Sequence, residues 1–186
     1  NYYSHIRPSE KNISLPYFTW NKKKFLKMKK KGYQVYLVEH PWINYRKKFI
    51  KRNKKAKGTL FFFNHSTSSG TTIKYSNLFS LIQKLKRLPK KCQPVSICLF
   101  HYDIRELKVH KILRKYNVNI VTVGHGNSQN FHKKFYELVN HFKYTCANIY
   151  EPDLSSSFFY TLDAGIPTFL FKHKSQKIGD GTNPEH

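Results

Sequence analysis

Four polar stretches, each following a short apolar run, hold the residue types that can grip an anion. The first, Asn64-His65-Ser66-Thr67-Ser68-Ser69-Gly70-Thr71-Thr72, follows residues 59–63 and contains only small or short polar residues apart from His65. Hydroxyls and unencumbered backbone N–H groups suit a phosphate or a sugar, which makes His65, Ser66 and Ser68 candidate contacts. The same residues equally suit a loop with a helix N-cap at Thr72 or Ser76. No Gly-Lys-Ser ending closes the stretch, so ATP chemistry of the P-loop type is not indicated.

The second stretch, Gly124-His125-Gly126-Asn127-Ser128, follows residues 118–123. Two glycines let backbone approach a ligand and hold the His125 imidazole between them. A third glycine at dinucleotide spacing is missing, so no NAD fingerprint is present. The third, Glu151-Pro152-Asp153-Leu154-Ser155-Ser156-Ser157, follows residues 144–149 and opens a helix. Serines at a helix N-terminus offer hydroxyls and free N–H groups to an anion, assisted by the helix dipole. A carboxylate just before them, Glu151, can accept bonds from a ribose diol; an N-cap and nothing more is the alternative. In the fourth, His101-Tyr102-Asp103, Asp103 either caps the helix that follows or faces a ligand crevice. His40-Pro41-Trp42 closes the run 35–38 as a hinge or a contact.

Other chemistries are poorly served. Ten histidines show no H-E-x-x-H or comparable spacing, and no Asp-x-Asp occurs, so no metal site is expected. No G-x-S-x-G elbow is present, which argues against a serine hydrolase. Cys92, Cys98 and Cys146 are too few and scattered for a disulfide framework or a zinc site, and read as thiols in a reducing cytoplasm. No cofactor is implied.

The elements that must position these stretches alternate. Short β-branched and aromatic runs lie at 35–38, 59–63, 95–100, 118–123, 144–149 and 168–171. Between them, Leu78, Phe79, Ile82 and Leu85 share one helical face, and Phe131, Phe135, Leu138, Val139 and Phe142 share another. A weaker helix spans 103–116, and a short one spans 155–164, stopped by Gly165 with Pro167 beyond. Alternation of helices with strands that are apolar throughout predicts an α/β fold, a Rossmann-like doubly wound parallel sheet. Ligands then bind where the strands' carboxyl ends lead into loops, which is where the four stretches lie. Residues 1–32 differ: residues 1–18 lack periodicity and 20–31 form a Lys-rich helix ended by Gly32. They read as a linker, with the Rossmann-like domain over 33–186.

A chain of 186 residues, 39% hydrophobic and 16% aromatic, can bury one ordinary core with a small appendage. Acidic disordered tails, collagens and disulfide miniproteins are excluded. The longest apolar runs, such as 60–63, fall far short of the ~20 residues that cross a bilayer. The start at Asn1, without methionine or signal pattern, reads as a processed chain or, in preference, a fragment. A net charge of +24 attracts polyanions. Of 34 basic residues 28 are Lys, whereas base readers and tight phosphate binders lean on Arg. Solvated faces and then an anionic membrane surface therefore rank ahead of nucleic acid, whose aromatic platforms interleave with the basic residues. Twenty of the 34 fall in 22–31, 46–57 and 84–91.

From Val38 to Phe171 the residues resemble the nucleotide-binding half of GT-B glycosyltransferases, especially bacterial enzymes of capsule, lipopolysaccharide or exopolysaccharide synthesis. The stretches that carry it are Glu39-His40-Pro41-Trp42, Gly58 through Ser66, Val123-Gly124-His125-Gly126, and Glu151 through Ser155-Ser156-Ser157 with Tyr160 to Gly165-Ile166-Pro167. The His-Pro and Ser-Ser pairs are also similar to those of bacterial sialyltransferases; the spacing from His40 to Ser155 is longer than in that family, and the donor's identity is not carried over. The resemblance implies a metal-independent transferase whose substrate is a nucleotide-sugar and whose acceptor is a glycan or glycolipid. Ser155, Ser156 and Ser157 would hold the phosphates and Glu151 the ribose, while His65, Ser66 and His125 would stabilise the leaving phosphate. The general base would belong to a second, acceptor-side domain. The enzyme would be cytoplasmic, with its basic surface against the inner membrane. A nucleotide-sugar epimerase of the same fold and a basic nucleic-acid-binding module are the alternatives.

Overall fold

The computed structural model describes residues 16–49, 51–64, 72–75, 77–124, 130–149 and 155–178. The chain divides into two compact units, 1–50 and 51–186.

The first unit holds β1 (Tyr17–Thr19), α1 (Lys22–Lys30), β2 (Val35–Leu37) and α2 (Pro41–Phe49), with β1 parallel to β2 and Phe18 opposite Tyr36. α1 starts where Asn21 Oδ1 accepts the Lys24 N–H at 3.0 Å, the ordinary N-cap bond. It buries Lys24 and Met28, four apart. A buried ammonium needs partners, and Lys24 Nζ donates to Tyr17 Oη at 2.8 Å while lying 4.8 Å from that ring's centre. Residues 33–50, which the alternation groups with the later strands, sit in this unit, and residues 17–19, which lack periodicity, form a strand. Not all of the aromatics here are internal: Trp42 is buried, but Phe18 is 60% exposed and Tyr36 47%, stacked on each other 5.5 Å apart.

The second unit is built on β3 (Thr59–Phe62), β5 (Val95–Cys98), β6 (Asn119–Val121), β7 (Tyr144–Asn148) and β8 (Thr168–Phe171). They form one wholly parallel sheet in the order β6-β5-β3-β7-β8. The helices are α3 (Leu78–Lys86), α4 (His101–Arg105), α5 (Val109–Arg114), α6 (Phe131–Asn140) and α7 (Ser156–Asp163). β4 (Thr72–Tyr75) pairs antiparallel with β9 (Ser175–Ile178) apart from the main sheet.

Side-chain alternation assigns the helices to two faces. Ile120, Ile97, Phe61, Cys146 and Phe169 stand in one cross-strand row and pack with Leu81, Ile82 and Leu85 of α3 and Leu113 of α5. On the other face Phe62 stacks on Phe135 of α6 at 6.0 Å, and Thr168 Oγ1 donates to Thr161 Oγ1 of α7 at 3.2 Å. Helices therefore cover both faces, and the expected Rossmann-like doubly wound fold is what forms. The strands are not apolar throughout, however. The row Asn119, Ser96, Leu60, Thr145, Thr168 is mostly polar, and it is tolerated because its members bond each other: Asn119 Nδ2 to Ser96 Oγ at 2.8 Å, and Thr145 Oγ1 with Thr168 Oγ1 at 2.7 Å.

Two helices depart from their periodicity. α3 buries Leu81 with Ile82 and Leu85 and leaves Phe79 55% exposed, so its inner face is rotated from the one the spacing suggests. Its N-cap is Asn77, whose Oδ1 accepts the Ser80 N–H at 2.8 Å, and Thr72 lies in a strand instead. The span 103–116 is two helices, because Lys108 adopts φ +54° and breaks the ladder.

Candidate functional site

The sheet order fixes where a site can be. From β3 the chain moves outward to β5 and β6, then crosses back to β7 and β8 on the other side of β3. The direction reverses between β3 and β7, and the crevice beyond the carboxyl ends at such a switch point is where doubly wound sheets bind ligands.

A hollow of about 70 Å³ opens at these carboxyl ends. Phe62 and Phe63 at the end of β3 and Cys98, Leu99 and Phe100 at the end of β5 form its floor. Phe131 and Phe135 of α6 make a wall, and Gly124, Ser155 and Ser157 stand at the polar side. The volume is a fraction of the ~300–1,000 Å³ of a complete small-molecule site. The segments 65–71, 125–129 and 150–154 that follow β3, β6 and β7 lie outside the described residues.

Ser155 is the N-cap of α7, with extended backbone (φ −65°, ψ 153°), yet its hydroxyl makes no capping bond. Its Oγ is buried and has no hydrogen-bond partner among the described residues. Its carbonyl accepts the Phe158 N–H at 3.0 Å, which starts the helix. The N–H groups of the first turn have no intrahelical acceptor by geometry, and the dipole makes this end of α7 electropositive. A buried hydroxyl beside first-turn amides is a donor set for an anion. Gly124, with φ +88° and open space where a side chain would stand, lets the chain turn at the rim without filling it. Its N–H is held by Thr122 Oγ1 at 3.1 Å. Cys98 does not supply a nucleophile: burial pushes its thiol up to about 12, so it stays protonated at neutral pH.

Of the residues singled out in the sequence, the structure brings Gly124, Ser155 and Ser157 together around the hollow. Ser156 is exposed on α7 and does not line it. His65, Ser66, Ser68, His125, Gly126 and Glu151 lie outside the described residues. Asp103 is in the first turn of α4, 2% exposed and absent from the lining; the N-cap position there is Phe100. His40 belongs to the first unit, where its Nδ1 accepts the Trp42 N–H at 3.1 Å and so caps α2, while its ring meets Trp20 edge-on at 4.8 Å. The aromatic wall was not legible as a site, because phenylalanines at strand ends and on an amphipathic helix read as core.

A larger hollow, about 540 Å³, lies at the opposite ends of the strands and is lined by Ile82, Leu85, Gln93, Val95 and Asn119 among others. Gln93, Lys86 and Asn119 of its lining already have protein partners, Asn119 on Ser96 Oγ. Gln93 Nε2 caps α3 through the Leu85, Lys86 and Leu88 carbonyls at 3.1 Å each, and Lys86 Nζ donates to Tyr116 O at 2.9 Å. The smaller hollow, with its unpartnered hydroxyl, is the better candidate.

Among the described residues no group of three or more His, Cys, Asp or Glu side chains is placed to hold a metal ion, and no helix is long and apolar enough to cross a membrane. In comparisons with known proteins, no family model, curated protein or solved structure matches this chain.

Proposed function

We propose that the 51–186 unit binds a phosphate-bearing nucleotide, in particular a nucleotide-sugar, and acts as the donor-binding half of a glycosyltransferase. The observation that carries the reading is the buried, unpartnered Ser155 hydroxyl at the N-terminus of α7, set beside the switch point of the sheet. In water that hydroxyl would be satisfied; leaving it buried without a partner costs on the order of 1–3 kcal/mol, which an anionic ligand would offset.

The hollow's two sides suit the two ends of such a ligand. A planar base or a sugar ring packs on Phe131, which the buried Phe135 backs, while phosphate oxygens accept from Ser155, Ser157 and the α7 amides. Transfer breaks the bond between the sugar's anomeric carbon and the phosphate oxygen as an acceptor hydroxyl attacks, and negative charge grows on the departing phosphate. Fixed donors at a helix N-terminus stabilise that charge. The sugar-donor specificity, the phosphate role of Ser156, the ribose role of Glu151, and the roles of His65, Ser66, Ser68, His125 and Gly126 rest on the resemblance to GT-B enzymes.

The test is a thermal-shift screen of CMP-, UDP-, GDP- and dTDP-linked sugars against inorganic phosphate and the free nucleosides. A nucleotide-sugar should raise the melting temperature, and Ser155→Ala or Ser157→Ala should shrink that rise. A screen with no hit, or a hit untouched by both substitutions, rejects the reading. Incubating the best hit with a glycan acceptor then separates transfer, which extends the glycan, from epimerisation, which changes the sugar alone.

A further inference from the structure

We infer that the outer face of α1 is a docking surface for a bilayer containing anionic phospholipid. α1 packs on β1 and β2 through Lys24 and Met28, and this fixes which side of the helix faces water. Leu26 stands on that side, 54% exposed. Its helical neighbours one turn away, at i−4, i−3, i+3 and i+4, are Lys22, Lys23, Lys29 and Lys30, all exposed. An aliphatic side chain is thus ringed by four ammonium groups.

Among the described residues no acidic side chain is paired with the lysines of this face. No acidic residue occupies the first turn, so Lys22 and Lys23 sit at the positive end of the helix dipole. Lys23 and Lys27 repel at i,i+4, as do Lys27 and Lys31. The ion pair described in this unit, Lys47 with Glu39, lies off the helix. A helix that breaks the local rules at each of these places is relieved beside a surface of fixed negative charge.

The occupant follows from the chemistry of the ring. Leu26 can enter the boundary between headgroups and acyl chains while the lysine stems lie along it and their ammonium groups meet lipid phosphates. Single strands are gripped through stacked aromatics, and base edges and phosphates are read by arginine forks. This face carries no arginine, and Phe25 is half-buried with Lys29 Nζ 5.7 Å from its ring centre.

The other two basic clusters are built differently. In 46–57, Arg52 is committed to the C-terminal end of α6, with Nη2 donating to Phe142 O at 2.6 Å and Nη1 to Asn140 Oδ1 at 3.1 Å. In 84–91, Lys86 is tied to Tyr116 O. Neither cluster has a large exposed apolar side chain among its described residues.

Co-sedimentation of the full chain with vesicles tests the proposal. Binding is expected to vesicles of about a third phosphatidylglycerol, to fall as salt is raised, and to be absent from pure phosphatidylcholine. Removing lysines from α1 (Lys22→Ala, Lys23→Ala, Lys29→Ala, Lys30→Ala) should weaken binding by roughly fivefold for each lysine that faces the bilayer. Leu26→Ser should weaken it at unchanged charge. The control Lys54→Ala, Lys55→Ala, Lys90→Ala, Lys91→Ala removes the same charge elsewhere and should bind nearly as wild type. Circular dichroism confirms that each variant is folded; should the fourfold α1 variant fail to fold, Leu26→Ser and the control decide alone. The proposal is overturned if wild type ignores anionic vesicles, if Leu26→Ser binds as wild type, or if the control loses as much as the α1 variants. It is equally overturned if α1 is needed for binding single-stranded RNA while vesicles are ignored.

Discussion

Asn148 and His173 are joined by a double hydrogen bond. The His173 N–H donates to Asn148 Oδ1 at 2.9 Å, and Asn148 Nδ2 donates to His173 O at 2.8 Å. Asn148 is the last residue of β7, and His173 lies in the turn from β8 to β9. Both are nearly inaccessible, at 2% and 5% exposure. One side-chain amide thus does for this turn what a strand's backbone does in the ladder, at the carboxyl edge where the site forms.

Replacing Asn148 should therefore be costly. Asn148→Ala removes both bonds and leaves a buried N–H and C=O unpaired, a loss of about 2–4 kcal/mol. Asn148→Asp keeps the acceptor for the His173 N–H and turns a carboxylate on the His173 carbonyl, so it should destabilise as well. Urea unfolding followed by fluorescence gives both values. A loss below about 1 kcal/mol for Asn148→Ala would mean that the turn is held by other groups.

Gly58 supports a second prediction about the frame of the sheet. It precedes β3 with φ +65°, and a Cβ there would overlap the Pro94 carbonyl oxygen and lie 3.1 Å from Pro94 Cδ. That carbonyl is needed in place, since it accepts the Thr59 N–H at 2.9 Å. Gly58→Ala should cost about 1–2 kcal/mol for the left-handed backbone and a further 1–3 for the overlap. Gly165 has φ +71° with open space around it, so Gly165→Ala should cost only the first part. Equal losses for the two would show that the contact with Pro94 relaxes freely.

How far such positions can be read in advance depends on how local their causes are. β3 was plain, because four consecutive buried residues, Thr59 to Phe62, leave a short run of β-branched, aliphatic and aromatic side chains. The end of α7 was plain as well, since Gly165 is the residue that adopts the left-handed turn. β1 was hidden, being three residues long and defined by pairing with residues 35–37. The β4–β9 pair joins segments about a hundred residues apart, and short windows carry no trace of such a partner. The break at Lys108 is made by a residue with no preference for positive φ, so tertiary packing imposes it. In the site, Ser155 was found because helix N-termini have a sequence signature, whereas Phe131 and Phe135 look like any core pair until the hollow beside them is seen.

His40 predicts a pH dependence. Burial lowers its pKa below the usual 6.5, and its Nδ1 must stay unprotonated to accept the Trp42 N–H. The folded state therefore binds the proton more weakly than the unfolded chain, and stability rises with pH where the two differ. The contribution is fully present above about 6.5 and is lost as the pH falls through that value toward the lower folded pKa. His173 acts in the same direction, its pKa lowered by burial and then by the Lys84 charge. His40→Asn keeps an N-cap acceptor without a titrating ring. Its loss of stability between pH 7.5 and pH 5 should be smaller than that of the wild type. If the two curves are parallel, His40 does not contribute to the acid sensitivity.

Ser155→Ala separates a structural serine from a ligand-binding one. If its hydroxyl capped α7, alanine would cost about 1 kcal/mol, as at most N-caps. The hydroxyl makes no capping bond and is buried without a partner, so alanine removes an unsatisfied polar atom and should leave stability unchanged or slightly raised. Binding should move the other way, because one donor to the anion is lost; about 1.5–3 kcal/mol, or roughly ten- to 150-fold in Kd, is the range for a hydrogen bond to a charged group. Thr161 of the same helix provides the contrast. Its hydroxyl donates to the Phe158 and Ser157 carbonyls at 2.9 and 3.0 Å and is fully buried, so Thr161→Val should destabilise the fold without a matching change in affinity per folded molecule. Urea unfolding and isothermal titration on both variants give the two quantities. Stability lost at Ser155 with affinity kept would return that serine to the role of an ordinary cap and leave the α7 end without a ligand.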